Sequence, residues 1–186
     1  MTITIHPPNP NWPARFAQIR DRLRPALPRK ALIHHIGSTA VPGLQAKDII
    51  DIQITLPALT DLDHDALQAA GFTRRRPTTD HCPPGLVLPP EDLAKYLYGT
   101  TAPIAAHVHI RAQGRFNQRY PLLCRDYLRA HPLAAAAYGA TKDALAHHFP
   151  EDVEAYYDIK DPVFDLIMAG AEDWARVTGW REPPGD

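Results

Sequence analysis

At 186 residues with 45% hydrophobic side chains, the chain is long enough for one domain with its own core. A net charge of −1 excludes a general nucleic-acid binder, which needs a clear basic excess. Its two cysteines, Cys82 and Cys124, do not form a disulfide framework or a zinc knuckle, and no apolar run approaches the ~20 residues of a membrane span. The opening Met1-Thr2-Ile3-Thr4-Ile5-His6-Pro7-Pro8 lacks a basic segment followed by an apolar one, so a soluble cytoplasmic protein is expected.

Asn11 has the chemistry of an N-cap, with Pro13 in the first turn. Trp12, Phe16, Ile19, Leu23 and Leu27 follow at helical spacing, predicting an amphipathic helix that ends near Pro28. Strands are predicted over 31–36 and 48–56, flanking a Gly37-Ser38 turn and a polar loop. Thr60 is placed to cap a helix through about residue 70, with Gly71 at its C′ position. Short strands are predicted at Phe72-Thr73, Leu86-Val87-Leu88 and Lys95–Tyr98, and a clear one from Ile104 to Arg111. Arg74-Arg75-Arg76 reads as a solvated edge, with a polyphosphate contact as the alternative. The remainder is helical, over about 117–130, 132–148 and 151–178, and Asp161-Pro162 should kink or divide the last helix. The fold class is α+β: a single domain over 1–186, with a mixed sheet part (1–112) and a C-terminal helical part (113–186).

Chemistry concentrates around the Gly-Ser turn. Gly37 lets backbone approach a ligand, Ser38 adds a hydroxyl, and Asp51 lies inside an apolar strand where a carboxylate must be paired, hydrogen-bonded or metal-bound. Together they suggest a phosphate and metal site; the plainer alternative is a turn and a buried Asp that fasten the sheet. His107-Val108-His109 puts two imidazoles on one strand face, suited to a metal or to a phosphate. Lys47 precedes the Asp51 strand at a place suited to phosphate, or is a plain loop lysine. Arg125 borders the apolar stripe of its helix, four residues before Arg129, and is suited either to a buried ion pair or to bidentate phosphate binding. Tyr138/Lys142 and Tyr156/Lys160 repeat one helical spacing, and Lys142 is preferred as a site residue.

The run His35-Ile36-Gly37-Ser38-Thr39-Ala40-Val41-Pro42-Gly43-Leu44, with Ala46-Lys47-Asp48-Ile49-Ile50-Asp51-Ile52 after it, resembles the signature of the GrpB family. The resemblance continues through Trp12-Pro13, Ala106–Ile110, Arg125–Pro132, Tyr138 with Lys142, Tyr156 with Lys160, and Trp174. That family is a branch of the nucleotidyltransferase-fold superfamily, so the resemblance implies a nucleotidyltransferase-like sheet packed with helices. It further implies that Gly37 and Ser38 bind nucleotide phosphates and that Asp51 holds a divalent metal (Mg²⁺, Mn²⁺ or Zn²⁺). His35 enters the metal set on this resemblance alone. The chain departs from the superfamily pattern at Gln53, where a D-x-D pair would place its second carboxylate, and His107 and His109 are expected to complete or replace that cluster. The expected activity is metal-dependent nucleotidyl transfer, with Asp51 and His109 catalytic, or binding of a nucleotide or phosphorylated metabolite through Gly37, Ser38, Lys47, Arg125 and Lys142. The alternatives are a zinc- or manganese-dependent hydrolase built on His35, Asp51, His107 and His109, and a nucleotide-binding accessory module that has lost the chemistry. No membrane partner is expected.

Overall fold

The alternation Ile50-Asp51-Ile52-Gln53-Ile54-Thr55-Leu56 gives its strand one apolar and one polar face, and the whole sheet follows it. The computed structural model describes residues 2–186. Its sheet is built from β1 (Leu32–Ile36), β2 (Ile50–Leu56), β3 (Thr73–Arg75), β4 (Tyr96–Thr100) and β5 (Ala106–Ala112). They lie side by side in the order β1-β2-β5-β4-β3. β2 pairs parallel with β5, and the other neighbours are antiparallel. The helices are α1 (Trp12–Leu23), α2 (His64–Ala69), α3 (Phe116–Ala130), α4 (Pro132–His148) and α5 (Val153–Thr178).

The apolar face carries Ile50, Ile52, Ile54, Val108, Ile110 and Tyr98, and packs against Trp12, Phe16, Ile19 and Leu23 of α1 and Leu67 of α2. Burying each such aliphatic side chain contributes about 1.5–3 kcal/mol, which makes this cluster the main source of sheet stability. The opposite face is polar, and α3 lies over part of it; α3 packs on α5 through Leu123, Cys124, Met168 and Ala171. Leu128 of α3, Ala135 and Tyr138 of α4, and Val41 and Leu44 of the loop after β1 form a further cluster. The α+β fold class expected from the pattern is the one observed.

Several boundaries differ from the sequence expectation. α1 stops at Leu23 and tightens into a 3₁₀ turn over Arg24–Ala26, because Pro25 has no N–H for the α ladder. Asn11 occupies the N-cap position of α1 but makes no side-chain cap bond. β2 begins at Ile50 because Asp48 turns away to accept from Trp12 Nε1 (2.8 Å) and Arg15. α2 is capped by Asp63, whose Oδ1 accepts from the Ala66 N–H at 2.9 Å, and not by Thr60, which lies in a 3₁₀ turn. Leu86-Val87-Leu88 forms no strand: prolines bracket it and Val87 is 99% exposed, so it has no sheet to pair with. α5 runs uninterrupted through Pro162, held on both sides of the proline by Tyr156 and by Met168, Ala171 and Ala175.

Candidate functional site

At the end of β1 the chain turns through Gly37 at φ +70°, a left-handed conformation that glycine adopts without strain. A Cβ there would sit 2.6 Å from Asp51 Oδ2, so glycine is also what lets the turn lie against the Asp51 carboxylate. Ser38 opens the 3₁₀ turn Ser38–Ala40 and its Oγ accepts from Lys142 Nζ at 2.8 Å. Register sets the rest of the floor. Ile36 pairs with Asp51, Asp51 with His107, and Gln53 with His109, so neighbouring strands present these side chains to one face.

His107 Nδ1 stands 3.3 Å from Asp51 Oδ1, and His109 Nε2 stands 4.0 Å from the same oxygen. Burial works to raise the Asp51 pKa, but His107 first, with His109 and His35 behind it, together outweigh burial and hold the carboxyl below its ordinary value. His109 is pushed down to about 3, first by burial and then by the charges of Arg111 and Lys95, so its ring is neutral at physiological pH. Arg111 Nη2 lies 3.4 Å from His109 Nδ1, which makes Nδ1 the acceptor and leaves the ring proton on Nε2, toward Asp51.

Gln53 is fully buried and does not face open cleft. Its Oε1 accepts from Arg111 Nη1 (2.8 Å) and its Nε2 donates to the Gln118 carbonyl (2.8 Å). Arg111 also grips Asp80 with two N–H groups (2.8 and 3.0 Å), Lys95 donates to the same carboxylate, and Asn117 Nδ2 donates to it at 3.1 Å. Although burial opposes it, the Arg111 and Lys95 charges hold the Asp80 carboxyl far below its usual range. This network ties the loop after β3 to the sheet and takes the place where a second strand carboxylate would stand.

The helical wall is cationic and aromatic. Lys142 of α4 is buried, and its Nζ donates to Ser38 Oγ and to the Gln45 carbonyl and lies 4.8 Å from the Tyr138 ring centroid. Burial above all, then the Lys160 charge, pulls its pKa down to about 7, with Asp143 and Asp51 opposing. Lys47 donates to Tyr157 Oη at 2.9 Å and lies 4.6 Å from the Tyr156 ring. Lys160 of α5 completes the group, 5.2 Å from the Tyr157 ring centroid, and pairs with Asp161. The floor and this wall enclose a cleft of about 750 Å³ that brings together Gly37, Ser38, Lys47, Asp51, His107, His109 and Lys142.

Two expected site residues are engaged with the fold. His35 pairs in register with Ile52 and therefore points to the apolar face, where it stacks on Phe16 at 4.8 Å and meets Thr39 Oγ1 at 2.9 Å. Burial lowers its pKa to about 4, but it lines no part of the cleft and cannot join a metal with Asp51. Arg125 lines the cleft, but its Nη1 is bonded to the His35 carbonyl (2.9 Å) and Asp186 (3.0 Å) and its Nε to Asp126 (2.8 Å), so these two nitrogens tie α3 to β1 and the C-terminal segment. Among the described residues no group of three or more His, Cys, Asp or Glu is gathered to hold an ion, and His109 aims an N–H, not a lone pair, at Asp51. A three-donor site over Asp51, His107 and His109 does not fit as these side chains stand. Sequence reasoning missed Asp80 and Tyr157, which lie in a proline-rich loop and on a helix without a local motif; only the tertiary contacts mark them.

Residues 2–170 match the sequence model described as GrpB protein. A UPF0157 protein of Pseudomonas aeruginosa is 39% identical over 91% of this chain and 67% of its own length. A protein named dephospho-CoA kinase from Mycolicibacterium paratuberculosis is 35% identical over 96% of this chain, but the match spans 48% of that longer protein. The crystal structure of the conserved protein GrpB from Enterococcus faecalis superposes with a TM-score of 0.74 at 26% identity, covering 92% of this chain and 99% of that one. A family match over residues 2–170, joined to a fold shared with a solved GrpB structure, makes this chain a member of the GrpB family.

Proposed function

We propose that the cleft binds the phosphate of a nucleotide or phosphorylated metabolite, held by Ser38, Lys142 and Lys47 at the Gly37 turn. One observation carries the reading: a buried lysine faces the cleft with only neutral oxygens, Ser38 Oγ and the Gln45 carbonyl, as hydrogen-bond partners. Burying an ammonium without a counter-ion is costly, and an incoming anion supplies that counter-ion. A dianionic phosphate restores the lysine's pKa, so binding above pH 7 draws a proton onto Nζ. Related proteins named dephospho-CoA kinase support a nucleotide-type ligand. The cation set around one carboxylate suits binding better than metal-assisted transfer.

Isothermal titration with ATP, dephospho-coenzyme A and inorganic phosphate tests this. Wild type should bind at least one of them, and Lys142→Met should weaken that binding about 10-fold or more. Absence of binding to all three, or equal affinity in Lys142→Met, overturns the reading. A strict Mn²⁺ requirement abolished by Asp51→Asn would favour nucleotidyl transfer instead.

A further inference from the structure

Across the same cleft from the lysines, β3 brings up a guanidinium. Arg75 pairs in register with Leu97, and Gly99 pairs with His107, so Arg75 shares the polar sheet face with Asp51 and His107. Its side chain lies flat on Gly99: a Cβ there would meet Arg75 Cζ at 2.5 Å and Nε at 2.6 Å. The missing side chain at Gly99 is what admits the arginine beside His107. Arg75 is partly buried, lines the cleft, and makes no hydrogen bond or ion pair among the described residues, unlike Arg111 on the same face. Its guanidinium lies over β4, two strand spacings, or roughly 10 Å, from the Asp51 strand that abuts the Gly37 turn. One phosphate cannot span that distance.

We propose that Arg75 forms a second anion subsite in this cleft, and that the ligand carries two anionic groups, one at Ser38 and Lys142 and one at Arg75. The inference rests on the phosphate reading of the Ser38–Lys142 end and narrows the ligand to a molecule, or a pair of molecules, with a second phosphate or carboxylate. Arg75 suits that role because its planar fork binds either group bidentately. Neutral sugars and singly charged ligands leave it unmatched.

Calorimetric titration with inorganic phosphate and with tripolyphosphate reads this out in wild type, Arg75→Met, Gly99→Ala and Lys142→Met. Wild type should prefer tripolyphosphate, and Arg75→Met should lower its affinity about 10-fold while leaving one phosphate site at Lys142 unchanged. Gly99→Ala keeps every charge and displaces only the flexible end of Arg75, so it should reproduce the loss with an unaltered melting temperature. Two phosphates per wild-type chain and one in Arg75→Met would identify the second group as a separate molecule. One tripolyphosphate per chain would identify a single extended ligand. Undiminished tripolyphosphate affinity in Arg75→Met overturns the second subsite alone. If Arg75→Met weakens binding but Lys142→Met does not, the two-group ligand falls with the Lys142 reading. Failure of wild type to bind either probe removes both.

Discussion

Lys142 shows how one residue can carry an opposition between folding and binding. The residue is 3% exposed, and its pKa lies at about 7 in the folded chain against 10.5 for an unhindered lysine. Between those values the unfolded chain binds the extra proton, so stability rises with pH from about 7 toward 10.5, and below 7 the cost is fully present. Lys142→Met removes that cost but also two hydrogen bonds, for a net gain at pH 6 of about 1–3 kcal/mol. Urea unfolding of both proteins at pH 6 and pH 9 should show the variant's advantage shrinking at the higher pH. A variant less stable than wild type at pH 6 would mean that the lysine already has an unrecognised counter-charge. The Gly37 turn makes a related point: its glycine answers to the Asp51 carboxylate pressed against it as well as to the local bend.

At the scale of elements, α5 is the least orthodox piece. Pro162 deprives the Asp158 carbonyl of its helical donor, yet the helix continues from Val153 to Thr178. Packing of Tyr156 before the proline and Met168, Ala171 and Ala175 after it holds both halves in line. Pro162→Ala restores the donor and should stabilise the protein by about 1–3 kcal/mol, seen as a raised denaturant midpoint at constant slope. An unchanged midpoint would show that the helix is already strained to fit its neighbours. α4, by contrast, was legible in the sequence to its ends, because Pro132 opens it and no internal breaker interrupts its periodicity. Leu86–Leu88 was not legible: three apolar residues resemble a strand anywhere, and only the lack of a neighbouring edge decides against one.

At the scale of the whole molecule, Arg125 is a tie. From α3 it reaches the β1 carbonyl of His35, Asp186 in the C-terminal tail, and Asp126 beside it. Arg125→Met should cost about 3 kcal/mol, toward the low end for breaking a buried pair because Asp186 keeps 30% side-chain exposure. The loss should appear in the urea midpoint, while phosphate affinity of the folded variant stays within about twofold if the bonds made by Nε and Nη1 are the residue's whole contribution. A collapse of affinity without loss of stability would return Arg125 to the binding site. The α+β class, the Gly37-Ser38 turn and the place of Asp51 in the strand that follows it were determined by sequence alone. Periodicity, glycine and a lone carboxylate among isoleucines are local properties, and they leave a local trace. Which face His35 takes, that Gln53 answers to Arg111, that Arg125 is spent on the fold, and that Lys142 and Arg75 flank one cleft were decided by tertiary structure. Those facts depend on strand register and on partners as far as 104 residues away, and identical side chains face a cleft or become structural ties according to which partner reaches them.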